Sequence, residues 1–122
     1  MSFIHLHTHS HYSLLEGIAK PKDLVKKAKS LGMSAVALTD TANIHGLHEL
    51  YKYAKEEGIT PILGAEIYTQ SELDEKLLHK LVLLATSNEG YKNLIQIVTK
   101  ASLDNAGKIA RTNLETLRQY AA

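Results

Sequence analysis

The residues LVKKAKSLGM at positions 24–33 recur in pattern as LYKYAKEEGI at positions 50–59, 26 residues later. Each copy has helical apolar spacing, ends near a glycine and leads into a short apolar run. A helix followed by a strand is one αβ unit, and repeated units of this kind build parallel sheets with right-handed crossovers. We therefore predict parallel strands over 35–39 and 62–68, preceded by helices that begin near Pro21 and near 41–43.

Acidic residues mark equivalent ends of the two predicted strands. The same offset of 26 residues places Asp40 over Glu66. In parallel α/β folds the catalytic groups gather at the carboxyl ends of the strands. Asp40 and Glu66 are therefore candidate site residues.

Histidines alternate near the start of the chain, at positions 5, 7, 9 and 11. Alternation with period two is typical of a strand, which would place these imidazoles on one face at spacings of about 6.6 Å. The predicted strand ends beside the same rim as Asp40 and Glu66. His7 and His9 join them as candidates.

The second half of the chain predicts a further buried strand over 81–85, a helix that includes 93–101, and a short helix through Tyr120. A capping box, Thr112-x-x-Glu115, would open that last helix. Closing a (β/α) barrel takes roughly 200 residues, and this chain has 122. We expect an α/β fold that is the first half of such a barrel, with about four parallel βα units.

Composition narrows the class of protein. The chain has 14 Lys+Arg, 13 Asp+Glu and 44% hydrophobic residues, which is typical of a globular domain without global attraction to nucleic acid or membrane. The absence of cysteine excludes disulfides, thiolate zinc sites and cysteine nucleophiles. No apolar run approaches the length of a membrane span. We expect a soluble, cytoplasmic protein.

Histidines and carboxylates without thiols indicate a site for divalent metal. Imidazole suits zinc or manganese, and carboxylates bridge and neutralise the ions. Two or more metals can generate hydroxide and hold phosphate oxygens. The alternatives are neutral imidazoles that bond the backbone, an Asp40 that caps the next helix, a Glu66 that pairs with a lysine, and a Glu16 that is an ordinary loop carboxylate.

Several motifs carry a family resemblance that covers essentially the whole chain. They are HLHTHSHYSLLEG at 5–17, ALTD at 37–40, PILGAE at 61–66, LLA at 83–85 and GYKNL at 90–94. Together they resemble the N-terminal PHP domain of bacterial DNA polymerase III alpha subunits. The YSLL at 12–15 and the GYxNL at 90–94 are similar to the polymerase branch rather than to PHP phosphatases.

The resemblance implies a distorted (β/α)7 barrel with a cleft for up to three divalent metals such as zinc, manganese or magnesium. It also implies phosphoesterase or 3′–5′ exonuclease chemistry in members that keep their ligands, and a large polymerase body downstream. His7 and His9 match the first ligand pair, Glu16 a following acidic ligand, and Glu66 the bridging carboxylate. Asp40 and His79 complete our candidate metal set.

The chain departs from the pattern of metal-competent members at two positions. Thr41 stands where they have histidine after Thr-Asp, and Lys80 stands in register with a histidine before the fourth apolar strand. His79 is one residue off, which on a strand points it the other way. Later family motifs, including an Asp-x-His, lie beyond Ala122. A complete three-metal site is therefore not expected from this chain alone.

Three hypotheses follow. The first is that residues 1–122 are a single incomplete domain, the N-terminal portion of the PHP domain of a replicative polymerase that reaches DNA and replication proteins through its parent chain. The second is a stand-alone PHP-type phosphoesterase, and the third is a non-catalytic interaction module. Because a half barrel leaves strand edges open, we expect the isolated chain to form homo-oligomers unless downstream sequence completes it.

Overall fold

A computed structural model of the chain describes residues 3–121. Its elements, in chain order, are α1 (Pro21–Ser30), β1 (Ala35–Leu38), α2 (Leu47–Glu57), β2 (Thr60–Gln70), β3 (Leu78–Leu84), α3 (Asn88–Asp104), β4 (Arg111–Thr112) and α4 (Leu114–Tyr120). The α/β class is confirmed.

The repeated αβ unit is present as predicted. The first turn of α1 contains Pro21, which suits a position that needs no backbone N–H, and α2 ends at Gly58 in the left-handed conformation (φ 70°). Both helices bury one apolar face against the sheet. Strands β1 and β2 are parallel, paired from Ala35 with Thr60 to Leu38 with Leu63.

The second helix begins later than predicted, at Leu47 rather than at 41–43. Ala42 has a positive φ of 52°, and its backbone N–H donates to the Glu66 carbonyl oxygen at 2.7 Å. Thr41 also forms a bridge to Glu66. These contacts continue the pairing with β2 beyond the end of β1. Residues 41 and 42 are therefore held against β2 and do not join α2.

The expectation of about four parallel βα units is wrong at β3. This strand runs antiparallel to β2, with Gly64 opposite Leu84 and Gln70 opposite Leu78. The connection over 71–77 is too short for a parallel crossover, which needs a dozen or more residues. The two-residue β4 pairs parallel with Tyr68 and Thr69, on the edge of β2 that β3 leaves free.

The histidine segment lies beside β1 without regular strand geometry over residues 3–10. The N–H groups of Ala37 and Thr39 donate to the carbonyl oxygens of His5 and Thr8, at 3.2 Å and 2.8 Å. The Thr8 N–H donates to the Thr39 hydroxyl at 2.9 Å instead of to a backbone carbonyl. The prediction of a first strand is therefore wrong in detail, because a side chain replaces part of the ladder.

The four imidazoles do not share one face. The rings of His7 and His9 are 5.2 Å apart. His5 packs against Phe3, with ring centroids 4.7 Å apart, and His11 packs against Tyr12 at 4.3 Å. Only the central pair of histidines converges as the alternation predicted.

The last helix ends at Tyr120 as expected but has a different cap. The Asn113 side chain accepts a hydrogen bond from the Thr116 N–H at 2.8 Å. The predicted capping box from Thr112 is wrong because Thr112 pairs with Thr69 in β4. Among residues 3–121, no helix has the length and apolar character needed to cross a bilayer.

Close packing between β2 and β3 yields a first prediction. A Cβ added at Gly64 would lie 2.4 Å from the Leu83 backbone oxygen and 2.8 Å from a Leu84 methyl carbon. Backbone cannot move away as a flexible side chain can, so Gly64→Ala should lower the free energy of unfolding by at least about 2 kcal/mol. Urea denaturation measures this change.

Gly90→Ala is the matched control. The Cβ would meet nothing closer than 3.4 Å, and Gly90 lies in the first turn of α3. Alanine there should leave stability unchanged or raise it by up to about 1 kcal/mol. Equal stabilities for the two variants would contradict the tight packing at Gly64.

Candidate metal centre

The candidate site lies where β1 ends beside the middle of β2. Glu66 is buried in β2, with 2% of its surface exposed. Its backbone N–H donates to the Asp40 carbonyl oxygen at 3.0 Å. The loop that follows the histidine segment is bonded to this junction, where the Thr41 N–H donates to the Ser13 hydroxyl at 3.0 Å. The Glu66 carboxylate faces imidazoles from a distant part of the chain.

Three side chains converge there and form the cluster His7–His9–Glu66. His7 Nε2 is hydrogen-bonded to Glu66 Oε2, and His9 Nε2 lies 3.6 Å from the same oxygen. One potential ligand atom from each residue lies within 4.8 Å of the other two. These residues are the strongest of the sequence-predicted candidates, since the fold brings all three together.

The hydrogen bonding of His9 fits a bound cation. Its Nε2 is buried and has no hydrogen-bond partner within the described part of the chain, residues 3–121, while its Nδ1 lies 3.3 Å from Glu16 Oε2. If Nδ1 carries the proton toward Glu16, Nε2 presents a lone pair toward Glu66 Oε2, so two acceptors face one another. A divalent ion there would take the unpartnered lone pair of His9 Nε2, and imidazole and carboxylate ligands suit such an ion.

Glu16 lies at the margin of the cluster rather than in it. Its Oε2 accepts a hydrogen bond from the Thr41 hydroxyl. That bond is the main cause that lowers the pKa of Glu16; partial burial opposes it, and the charge of Lys80 adds to it. Glu16 is therefore a carboxylate at neutral pH, and its Oε2 lies near His9 Nδ1.

Asp40 is buried, but the structure does not bring it into the cluster. Its two oxygens accept hydrogen bonds from the Ser10 N–H at 2.6 Å and from the Ser10 and Ser13 hydroxyls, each at 2.7 Å. The idea that Asp40 caps the second helix is wrong, because that helix has Gly46 at its N-cap. Asp40 instead holds the turn that connects His9 to Glu16.

Strand β3 brings Lys80 to the site and leaves His79 away from it. Lys80 lies opposite Tyr68 and His79 opposite Thr69, so only Lys80 shares the sheet face of Glu66. Contact with the Glu66 carboxylate, and then the charge of that group, raise the pKa of Lys80. The register argument already present in the sequence could have identified Lys80 as a site residue.

The buried acceptor role of Asp40 generates a second prediction. In Asp40→Asn, an amide NH2 would face donors and at least one hydrogen bond would be lost, so the free energy of unfolding should fall by about 2–3 kcal/mol. Asp23→Asn, at an exposed position in α1, should change it by at most about 1 kcal/mol. Urea denaturation at pH 7 compares them; equal losses would contradict the role given to Asp40.

Comparison with known proteins places these features in one family. The family model of the PHP domain matches residues 5–122. The chain is 50% identical over 99 residues to the DNA polymerase III subunit alpha of Buchnera aphidicola subsp. Acyrthosiphon pisum, and 46% identical over 99 residues to that of Escherichia coli K12; each match covers 81% of this chain. A Borreliella burgdorferi protein of the same name is 42% identical over 97% of the chain.

These relatives are much longer than the chain, which spans 8% of the first two and 11% of the third. Solved structures share the fold over about a third of their length. An amidohydrolase from Chromobacterium violaceum, with bound sulfate and no metal, matches 85% of this chain and 39% of its own, with a TM-score of 0.59 and 26% identity.

A proposed metal-dependent phosphoesterase from Bifidobacterium adolescentis matches 82% of this chain and 32% of its own, with a TM-score of 0.56 and 25% identity. A cluster of two histidines with a buried carboxylate, a family match over residues 5–122 and an identity of 50% to one relative agree with one another. The chain belongs to the PHP domain family.

Proposed function

We propose that the chain is the N-terminal PHP portion of a bacterial DNA polymerase III alpha subunit, a DNA-directed DNA polymerase that acts in replication. The observation that carries this proposal is the 50% identity over 99 residues to a protein of that name, of which the chain spans only 8%. A downstream body would then hold the nucleotidyl-transfer site. DNA and replication proteins are partners of that parent, and its compartment would be the cytoplasm.

Within this domain, His7, His9 and Glu66 would hold one divalent ion. Two imidazoles and a carboxylate suit zinc or manganese better than magnesium, which prefers oxygen ligands. When bound, the ion would supply Lewis-acid chemistry for a phosphoester. Glu16 holds the His9 ring in orientation through Nδ1, and the half-exposed His7 side chain leaves the cluster open to solvent.

Phosphoesterase or exonuclease activity of this chain should be weak. Thr41 and Lys80 occupy two positions where metal-competent members carry histidine, and the structure places both beside Glu16. The cluster is thus smaller than the cleft that three metals need. We propose that its main role in the parent protein is to hold the domain together around a metal or its substitute charges.

A stand-alone phosphoesterase is the second candidate, favoured by the fold shared with the Bifidobacterium protein. Residues 3–121 leave the outer edge of β3 unpaired, and Leu81 on that strand is 40% exposed. A free-standing chain would have to cover this edge. In that case we propose a homo-oligomer.

The metal site generates a third prediction. Adding Mn²⁺ at 100 times its dissociation constant should stabilise the chain by about 2.7 kcal/mol, because only the folded cluster binds the ion. The melting temperature should rise by several degrees, and His9→Ala should abolish the rise. Differential scanning calorimetry measures both.

His79→Ala is the control variant, since His79 is exposed on the opposite face of β3. It should keep the full Mn²⁺ shift. No shift in the wild-type chain, or an equal shift in His9→Ala, would refute the metal centre.

The proposal that the chain is part of a longer polymerase subunit generates a fourth prediction. Source-cell lysate can be separated by gel filtration, and the fractions probed on denaturing immunoblots with antibody against this chain. We expect a band far larger than 13.5 kDa. A band at 13.5 kDa would refute the polymerase proposal, and its elution volume would then report whether the free chain is oligomeric.

A further inference from the structure

Lys80 reaches the centre from an edge strand and contacts both of its acidic side chains. Its Nζ lies 3.3 Å from Glu66 Oε1 and 3.7 Å from Glu16 Oε1. The Tyr68 ring lies below it, with Nζ 5.6 Å from the ring centroid. The ammonium group is thus held between two carboxylates and an aromatic ring, each of which favours a cation.

The two oxygens of Glu66 face different partners. Oε2 faces the imidazole nitrogens of His7 and His9, whereas Oε1 faces Lys80. A bridging carboxylate in a two-metal site would direct one oxygen to each ion. Here one of the two cation positions is filled by a side chain of the chain itself.

We infer that Lys80 is a built-in cation that replaces a second metal between Glu16 and Glu66 and limits the centre to a single divalent ion. This inference rests on the proposed metal centre and specifies its composition. Glu66 is 2% exposed, and a buried carboxylate needs a cation or several donors. Lys80 supplies the cation at Oε1 through its charge at 3.3 Å, since no hydrogen bond within residues 3–121 reaches that oxygen. The protein thereby keeps a folded centre with one ion or none.

A second divalent ion cannot share this space with Lys80. Such an ion would bind carboxylate oxygens at about 2.0–2.2 Å, and Nζ already lies within 3.7 Å of one oxygen from each carboxylate. The Lys80 ammonium group and a divalent ion bound to the same two carboxylates would repel each other strongly in a partly buried site. Lys80 must therefore leave before a second ion can bind to Glu16 and Glu66.

The test is the number of Mn²⁺ ions bound per chain, measured by equilibrium dialysis and elemental analysis. Wild type should bind one ion. Lys80→Met, which keeps the length of the side chain without its charge, should bind two, and adding Glu16→Gln should return the number to one. Lys80→Arg retains the charge and should bind one.

Lys76→Met removes an exposed lysine from the turn before β3 and should also bind one ion. Melting without metal checks that each variant folds. It should show a lower melting temperature for Lys80→Met than for Lys80→Arg, because Glu66 and Glu16 lose their cation. Saturating Mn²⁺ should raise the melting temperature of Lys80→Met more than that of wild type.

The possible results separate this inference from the metal centre itself. One ion in both wild type and Lys80→Met, or two in wild type, overturns the inference and leaves the metal centre standing. No ion in wild type but one in Lys80→Met also overturns it, since Lys80 would then exclude the first ion. No ion in either chain overturns the metal centre and the inference together.

Discussion

Asp40 and Glu66 are carboxylates that the fold buries almost completely, with exposed fractions of 1% and 2%. A charge removed from water must find donors or cations nearby, or the folded state loses several kcal/mol. The two residues meet this constraint differently. Asp40 takes neutral donors from the serines of the preceding loop, and Glu66 takes His7 and Lys80.

The parallel pairing of β1 and β2 links the surroundings of Asp40 to those of Glu66. The backbone N–H of Glu66 donates to the carbonyl oxygen of Asp40, so the residues just after β1 keep a fixed separation from the middle of β2. Asp40 then orders the turn through Ser10 and Ser13, which places His9 on one side and Glu16 on the other. The cluster His7–His9–Glu66 is thus positioned by a neighbouring polar network as well as by the histidine segment.

Membership of the PHP family and the local chemistry explain different things. Family membership agrees with a chain whose His7, His9 and Glu66 gather in one cluster. The local contacts differ from those of a site filled with metal ions: Thr41 is bonded to Glu16, and Lys80 lies between two carboxylates. In our inference, the Lys80 ammonium group occupies the position of one metal ion.

Much of the fold could be predicted from sequence because it depends on local patterns. Apolar spacing with glycine stops predicted α1, the body of α2 and the β1–β2 pair. The 26-residue offset drew attention to Asp40 and Glu66, both of which are buried, although Glu66 lies inside β2 rather than at its end. The direction and burial of β3 were missed, since a continuous apolar run such as 81–85 is typical of a buried parallel strand, whereas β3 is antiparallel and its Leu81 is 40% exposed. The short connection over 71–77 decided the direction.

The sequence by itself determined the α/β class, the repeated unit and the residue types available for a metal. Only the tertiary structure decided which of them meet. His7, His9 and Glu66 converge, Asp40 turns to the serines, and His79 points away while Lys80 takes its place. The reason is physical: ligand geometry depends on strand register and on contacts between residues as far apart as His7 and Glu66, which no local pattern encodes.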